Sequence, residues 1–223
     1  MKKTIAIIPA RGGSKRLPNK NIINFNGLPL LVHSINYAKE NSDIIDDVYV
    51  STDNKEIKSV ALAHNAKVID RPSDISDDKA TTAAVLKHAL QLLSNDIECV
   101  ILLQPTNPLR PKSLLKDAYT AYKLNNCDSL FTVSRDHKKL GKINDNRFLP
   151  FNYKIGQRSQ DLEQLYYENG LLYITKAQLI MDEIIFNEES FPYVVNHPYA
   201  KVDIDTLEDL NYAEYLISKE ISK

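Results

Sequence analysis

Five short runs along the chain are rich in Val, Ile and Leu: Thr4 to Ala10, Asp47 to Thr52, Ala66 to Asp70, Cys99 to Pro105 and Ser129 to Ser134. Apolar character this continuous predicts strands buried on both faces, as in a parallel sheet. Between them lie stretches whose apolar residues recur three and four apart. Pro29 to Asn41 carries Leu30, Leu31, Ile35 and Ala38; Lys79 to Ser94 carries Val85, Ala89 and Leu92, with Leu86, Leu90 and Leu93 beside them. Both predict amphipathic helices packed on the sheet. Strand and helix alternating in this way imply a doubly wound, mainly parallel α/β fold, and ligands of such folds bind beyond the carboxyl ends of the strands. The loops that follow strands are where chemistry is expected.

The alternation lapses after Arg135. Residues 136–165 are polar and aperiodic, which predicts an arm or lid, or a disordered insertion, within a single domain spanning 1–223. Leu165 to Lys176 reads as strand, turn and strand, with Asn169-Gly170 as the turn. Ala200 to Asp205 predicts a last strand, followed by a helix from about Thr206 to Ile221 whose buried stripe is Leu207, Leu210, Ala213 and Ile217.

Composition narrows the function classes. A net charge of −1 on 223 residues argues against a general nucleic-acid-binding surface. No apolar run reaches the length of a membrane span. The short apolar run near the start meets Arg11, Lys15 and Arg16 instead of a small-residue cleavage site, so a cytoplasmic protein is expected. Cys99 and Cys127 lack metal-type spacing, and the five histidines are scattered.

The first predicted strand ends in a loop that changes the picture, PARGGSKRLPNKN. Gly12 and Gly13 permit a tight turn and close backbone approach to a ligand. Arg11, Lys15, Arg16 and Lys20 suit a polyphosphate, whose oxygens accept charge-assisted hydrogen bonds. The spacing matches neither a Walker A loop nor a dinucleotide fingerprint; the alternative is a solvated basic loop. Near the other end, Asp203 and Asp205 stand two apart on the predicted strand, so both carboxylates share a face. Such a pair suits Mg²⁺ together with phosphate oxygens. Thr206 and Asp209 have capping-box spacing, and so do Asp205 and Glu208.

IPARGGSKRLPNKN resembles the N-terminal signature of the acylneuraminate cytidylyltransferases, the CMP-sialic acid synthetases. The resemblance continues in order through STD at 51–53, DRPSDISDDKATT at 70–82, LLQPTNPLR at 102–110, NGLLYI at 169–174 and VDIDTLEDLNYAE at 202–214. It implies a Rossmann-like nucleotide-diphospho-sugar transferase fold with a small dimerisation extension. The implied reaction moves CMP from CTP to the anomeric hydroxyl of an acidic nine-carbon sugar of the sialic, legionaminic or pseudaminic type, with Mg²⁺, in a homodimer. By the same resemblance, Arg11, Gly12, Gly13 and Lys20 would bind the triphosphate, with Asn21 near the ribose and Arg71 and Thr81 at the base. Arg71 could instead pair with Asp70 or Asp74, and Thr81 also suits the first turn of a helix. Gln104 would orient the sugar and the reacting phosphate. Lys142, Arg158, Asn169 and Tyr173 would line the sugar pocket, although turn chemistry explains Asn169 and core packing Tyr173 equally well. Arg11, Lys20, Gln104, Asp203 and Asp205 form the implied catalytic set. Asn107 stands where the family often has Ser, with no evident consequence, and no side chain recommends itself as general base. Transfer to an eight-carbon ulosonic acid (Kdo) and noncatalytic nucleotide binding are the alternatives.

Overall fold

The computed structural model describes residues 2–221. In chain order the elements are β1 (Lys3–Pro9), β2 (Asn24–Phe25), β3 (Leu28–Pro29), α1 (Leu30–Glu40), β4 (Asp47–Thr52), α2 (Lys55–Ala63), β5 (Lys67–Asp70), α3 (Thr82–Leu92) and β6 (Ile97–Leu102). They continue with α4 (Leu114–Leu124), β7 (Ser129–Asp136), β8 (Gly141–Asn144), β9 (Arg147–Pro150), β10 (Leu165–Lys176), α5 (Ala177–Met181), β11 (Phe191–Val194) and α6 (Leu207–Ile221).

A seven-stranded sheet in the order β11-β7-β10-β6-β1-β4-β5 forms the centre. β6, β1, β4 and β5 are parallel, and β10 runs antiparallel between β6 and β7. The central strands are the apolar runs of the sequence. Ala6, Ile7, Ile8 and Ile101 have no exposed surface, and Leu31, Ile35, Leu86 and Ala89 cover the sheet from the helices. Leu92 points outward at 62% exposure, so the buried stripe of α3 is Val85, Leu86, Ala89 and Leu90. From β1 the chain builds toward β5, then returns to add β6 on the other side of β1. That reversal places the switch point between β1 and β6, where ligands of open α/β sheets bind.

The second half departs from the sequence expectations in three places. Asn169-Gly170 is not a turn. β10 runs through it as one strand with a register shift between Glu168 and Tyr173, and Gly170 takes φ +73°. Ala200 to Asp205 forms no strand. Pro198–Lys201 is a 3₁₀ turn, and the chain beyond it is extended without a ladder, held by Ile204 N–H donating to Thr106 O at 2.8 Å. Leu207 is 55% exposed, so the buried stripe of α6 starts at Leu210 and Ala213, with Leu216 and Ile217 packing beside them. Within 136–165, β8 and β9 pair as a hairpin through Asp145 and Asn146, both at positive φ, the backbone that a two-residue type I′ turn demands.

Candidate active site

Past β1, the loop from Arg11 to Asn21 is fixed from inside. The Asn21 side chain, 6% exposed, donates to Arg11 O at 2.9 Å. Gly12 N–H donates to Asp53 Oδ1 at 3.0 Å beyond the end of β4. A Cβ on Gly12 would stand 2.8 Å from the Asn54 side chain, whereas one on Gly13 would meet open space. Gly12 therefore serves a close approach within the protein, and neither glycine borders the cleft. The loop's cations do. Asp78 accepts from Arg11 at 2.6 Å and pairs with Lys15. Asp205 accepts from Arg16 at 2.5 Å and from Lys20 at 2.6 Å. Lys15 and Arg11 hold the Asp78 carboxyl below the usual carboxylate range.

These cations line a cleft of about 530 Å³ at the carboxyl ends of β1 and β6, roofed by Arg71, Asp77, Asp78 and Thr82. Arg71 is buried and pairs with neither Asp70 nor Asp74. Its guanidinium donates to Ser51 O at 2.5 Å and Ser51 Oγ at 3.2 Å. Burial lowers its pKa to about 10, with Asp53 opposing, so it stays a cation at neutral pH. Thr81 does not border the cleft. Its hydroxyl accepts from Ala84 N at 3.1 Å and caps α3, as an unpaired first-turn donor requires.

Gln104, just past β6, borders this cleft and also a second one of about 710 Å³. Its backbone is held firmly: its carbonyl accepts from Arg110 at 2.9 Å, and Asn107 N–H bonds to it at 3.2 Å. Its side-chain amide has no hydrogen-bond partner among the described residues. Gly170 leaves room for that amide, since a Cβ there would sit 2.9 Å from Gln104 Oε1 and from Asn107 Oδ1. Asn107, with no exposed surface, donates to Asn169 O at 3.2 Å and Val202 O at 2.7 Å. Its amide thus ties the β6 exit to the β10 bulge and to the Asp203 segment, a consequence that sequence reasoning did not see. Arg110 was missed altogether. It donates to Leu171 O, Ser34 Oγ and Gln104 O at 2.7, 3.0 and 2.9 Å.

Arg135, Lys138, Tyr167, Glu168, Tyr173 and Asp203 border the second cleft, together with Lys201. Asn169 lines it too, but its side-chain polar atoms are taken. Oδ1 accepts from Thr132 Oγ1 at 2.6 Å and Leu171 N at 3.1 Å, and Nδ2 donates to Ser134 Oγ at 2.9 Å. The Tyr173 hydroxyl donates to Glu168, and burial followed by that carboxylate pushes its pKa up. Lys142 and Arg158 border neither cleft. Lys142 sits exposed on β8, and Arg158 is paired with Asp161 at 2.9 Å. Lys142 pairs with Leu149 in the β8–β9 hairpin.

Asp203 borders the second cleft and Asp205 the first; with no strand formed here, the two carboxylates do not share the single face that strand spacing predicts. Burial raises the Asp203 pKa, the Thr106 hydroxyl opposes it, and Asp205 raises it further. A buried carboxylate with a second one close by suits a divalent cation between them. Among the described residues no group of three or more His, Cys, Asp or Glu side chains gathers into a metal site, so the pair would need phosphate oxygens and water to complete a Mg²⁺ shell.

A doubly wound sheet whose switch point opens on a cation-lined cleft, joined at Gln104 to a second polar cleft, is an arrangement suited to bringing an anionic substrate against a second polar one. The sequence comparisons name the family. Residues 5–222 match the model of the cytidylyltransferase family, and the chain belongs to that family. It is 38% identical over 226 residues to a pseudaminic acid cytidylyltransferase of Campylobacter jejuni, covering 96% of each chain. It is 34% identical to an N-acylneuraminate cytidylyltransferase of Streptococcus agalactiae, over 93% of this chain and 51% of that one. A solved CMP:2-keto-3-deoxy-manno-octonic acid synthetase complexed with CTP shares the fold at a TM-score of 0.72, with 16% identity over 98% of this chain and 99% of that one. Among the described residues, no helix is long and apolar enough to cross a membrane.

Proposed function

We propose that this protein transfers CMP from CTP to the anomeric hydroxyl of an acidic nine-carbon sugar and releases pyrophosphate. The observation that carries this reading is the meeting of two clefts at the unpartnered Gln104 amide. The triphosphate occupies the first cleft among Arg11, Lys15, Arg16 and Lys20, and Arg71 reads the cytosine edge. The sugar occupies the second. Its anomeric hydroxyl loses its proton to water as its oxygen forms a bond to the α-phosphorus and the bond from that phosphorus to the bridging oxygen of the pyrophosphate breaks. Catalysis comes from alignment of the two substrates and from cations facing the charge on the departing pyrophosphate. Asp203 and Asp205 would hold Mg²⁺, which supplies neutralisation of phosphate charge. Both relatives named above act, by their names, on nine-carbon acids, which favours that class over Kdo. The free thiols Cys99 and Cys127 suit a reducing cytoplasm.

Gln104→Ala tests the junction. Turnover should fall roughly 100-fold, the scale of a lost positioning contact, while CTP affinity by calorimetry stays within about threefold. Equal losses in both would place Gln104 in nucleotide binding alone.

A homodimer is part of the proposal. The hairpin exposes Ile143 (75%), Phe148 (51%) and Phe151 (69%), and an apolar group of this size on an extension suits a second copy of the chain. Sedimentation equilibrium should give twice the 25.3 kDa chain mass, and Ile143→Ser with Phe148→Ser should give monomers. A monomeric wild type would contradict the dimer.

A further inference from the structure

The loop cations of the first cleft and the cations of the second differ in their partners, and Arg71 of the first cleft, without a carboxylate, is bonded to Ser51. In the nucleotide cleft Arg11, Lys15, Arg16 and Lys20 all have carboxylate partners. In the second cleft none of Arg135, Lys138 and Lys201 forms an ion pair among the described residues. Arg135 stands out within that group. It lies near the end of β7, opposite Tyr166 of β10, and its Nε is shielded from solvent with no hydrogen-bond partner among the described residues. A shielded, charged donor without an acceptor is costly to keep, and a ligand oxygen would satisfy it. Of the carboxylates bordering this cleft, Asp136, Glu168 and Asp203, none forms an ion pair with Arg135; Glu168, which pairs with Val133, lies diagonally across on the same face of the sheet. Glu168 is instead engaged by the Tyr173 hydroxyl. Guanidinium and carboxylate match as a two-bond fork, which an ammonium cannot reproduce.

We infer that Arg135 is the residue that holds the carboxylate of the acceptor sugar. The inference rests on the acceptor reading above and deepens it, because Lys142 and Arg158 stand outside the cleft. A sugar carboxylate on Arg135 would lie in the cleft that Gln104 borders, and Lys138 and Lys201 add positive charge along the same wall. Specificity for an acid over its neutral derivative would then come from Arg135.

The test is steady-state pyrophosphate release at saturating CTP by the wild type, Arg135→Gln and Arg135→Lys. The acceptor is whichever of N-acetylneuraminic, legionaminic or pseudaminic acid the wild type uses, alongside its methyl ester. Arg135→Gln should raise the acceptor KM roughly 10- to 100-fold with the CTP KM unchanged, as loss of a charge-assisted fork predicts. It should also erase most of the wild type's preference for acid over ester. Arg135→Lys keeps the charge without the fork and should fall between the two. An unchanged acceptor KM with the ester preference intact in Arg135→Gln would overturn the inference while leaving the function standing. Should Arg135→Gln not fold, judged by circular dichroism, an unchanged acceptor KM in a folded Arg135→Lys would overturn it equally. A wild type silent with all three acids overturns the function itself, and the inference with it.

Discussion

Asp203→Asn should lower turnover by roughly 100- to 1000-fold, the range seen when one group facing developing charge is removed, and should leave the fold intact. Asparagine has nearly the shape of aspartate and can still meet the Thr106 hydroxyl that adjoins Asp203. Only the charge is lost. Asp203 borders the second cleft and Asp205 the first, so on the proposed function the pair stands where the two substrates approach. Asp205 also anchors Lys20 and Arg16, which makes its own replacement harder to interpret. Asp203 has no such ion pair among the described residues. The measurement is kcat at saturating CTP and Mg²⁺, with the thermal midpoint as control. A kcat within threefold of wild type would remove Asp203 from the reaction.

Arg110→Met should destabilise the protein by about 2–5 kcal/mol, because it strips donors from buried carbonyls. Arg110 is 6% exposed and has no carboxylate partner among the described residues. Burial lowers its pKa to about 10, so the guanidinium is still charged at neutral pH. Its charge is met by Leu171 O, Gln104 O and Ser34 Oγ, and it lies 5.5 Å from the centre of the Tyr37 ring. Methionine fills most of the space but leaves Leu171 O and Gln104 O without this donor. A competing effect exists, since removing a buried charge recovers its desolvation cost and can stabilise a protein. Three bonds to one planar group decide in favour of the native arginine. Urea unfolding distinguishes the two: a midpoint equal to or above wild type would mean desolvation dominates. The loss should reach turnover too, because Arg110 holds the backbone that carries Gln104.

The parallel half of the sheet was legible because burial on both faces leaves an unbroken apolar run in β1 and in the second half of β6, while β4 and the edge strand β5 carry only short apolar stretches. Asp203 and Asp205, two apart, carry the local signal of a strand, and Val202 and Ile204 beside them are buried at 2% and 0%. No neighbouring strand pairs with this segment, however, and pairing is a long-range property that a local period does not contain. Asn169-Gly170 carries the same local signal for a turn as for a bulge. The outcome was decided by Asn107, Thr132 and Ser134, which arrive from distant parts of the chain to take the polar atoms of Asn169. The hairpin was legible in principle, since Asp145-Asn146 stands between Ile143 and Phe148 as a type I′ turn would require. The basic loop stood out because charge clusters are visible in one dimension. Arg135 and Arg110 did not, because their importance lies in which partners each one lacks or finds after folding.

The most direct test of the whole account is pyrophosphate release from CTP with Mg²⁺, run in parallel on N-acetylneuraminic acid, legionaminic acid, pseudaminic acid and Kdo, with ATP and GTP as control donors. The account predicts release with CTP and a nine-carbon acid, none with ATP or GTP, and loss of the signal in Asp203→Asn. Release with Kdo alone, or silence with every acid despite measurable CTP binding, would contradict it.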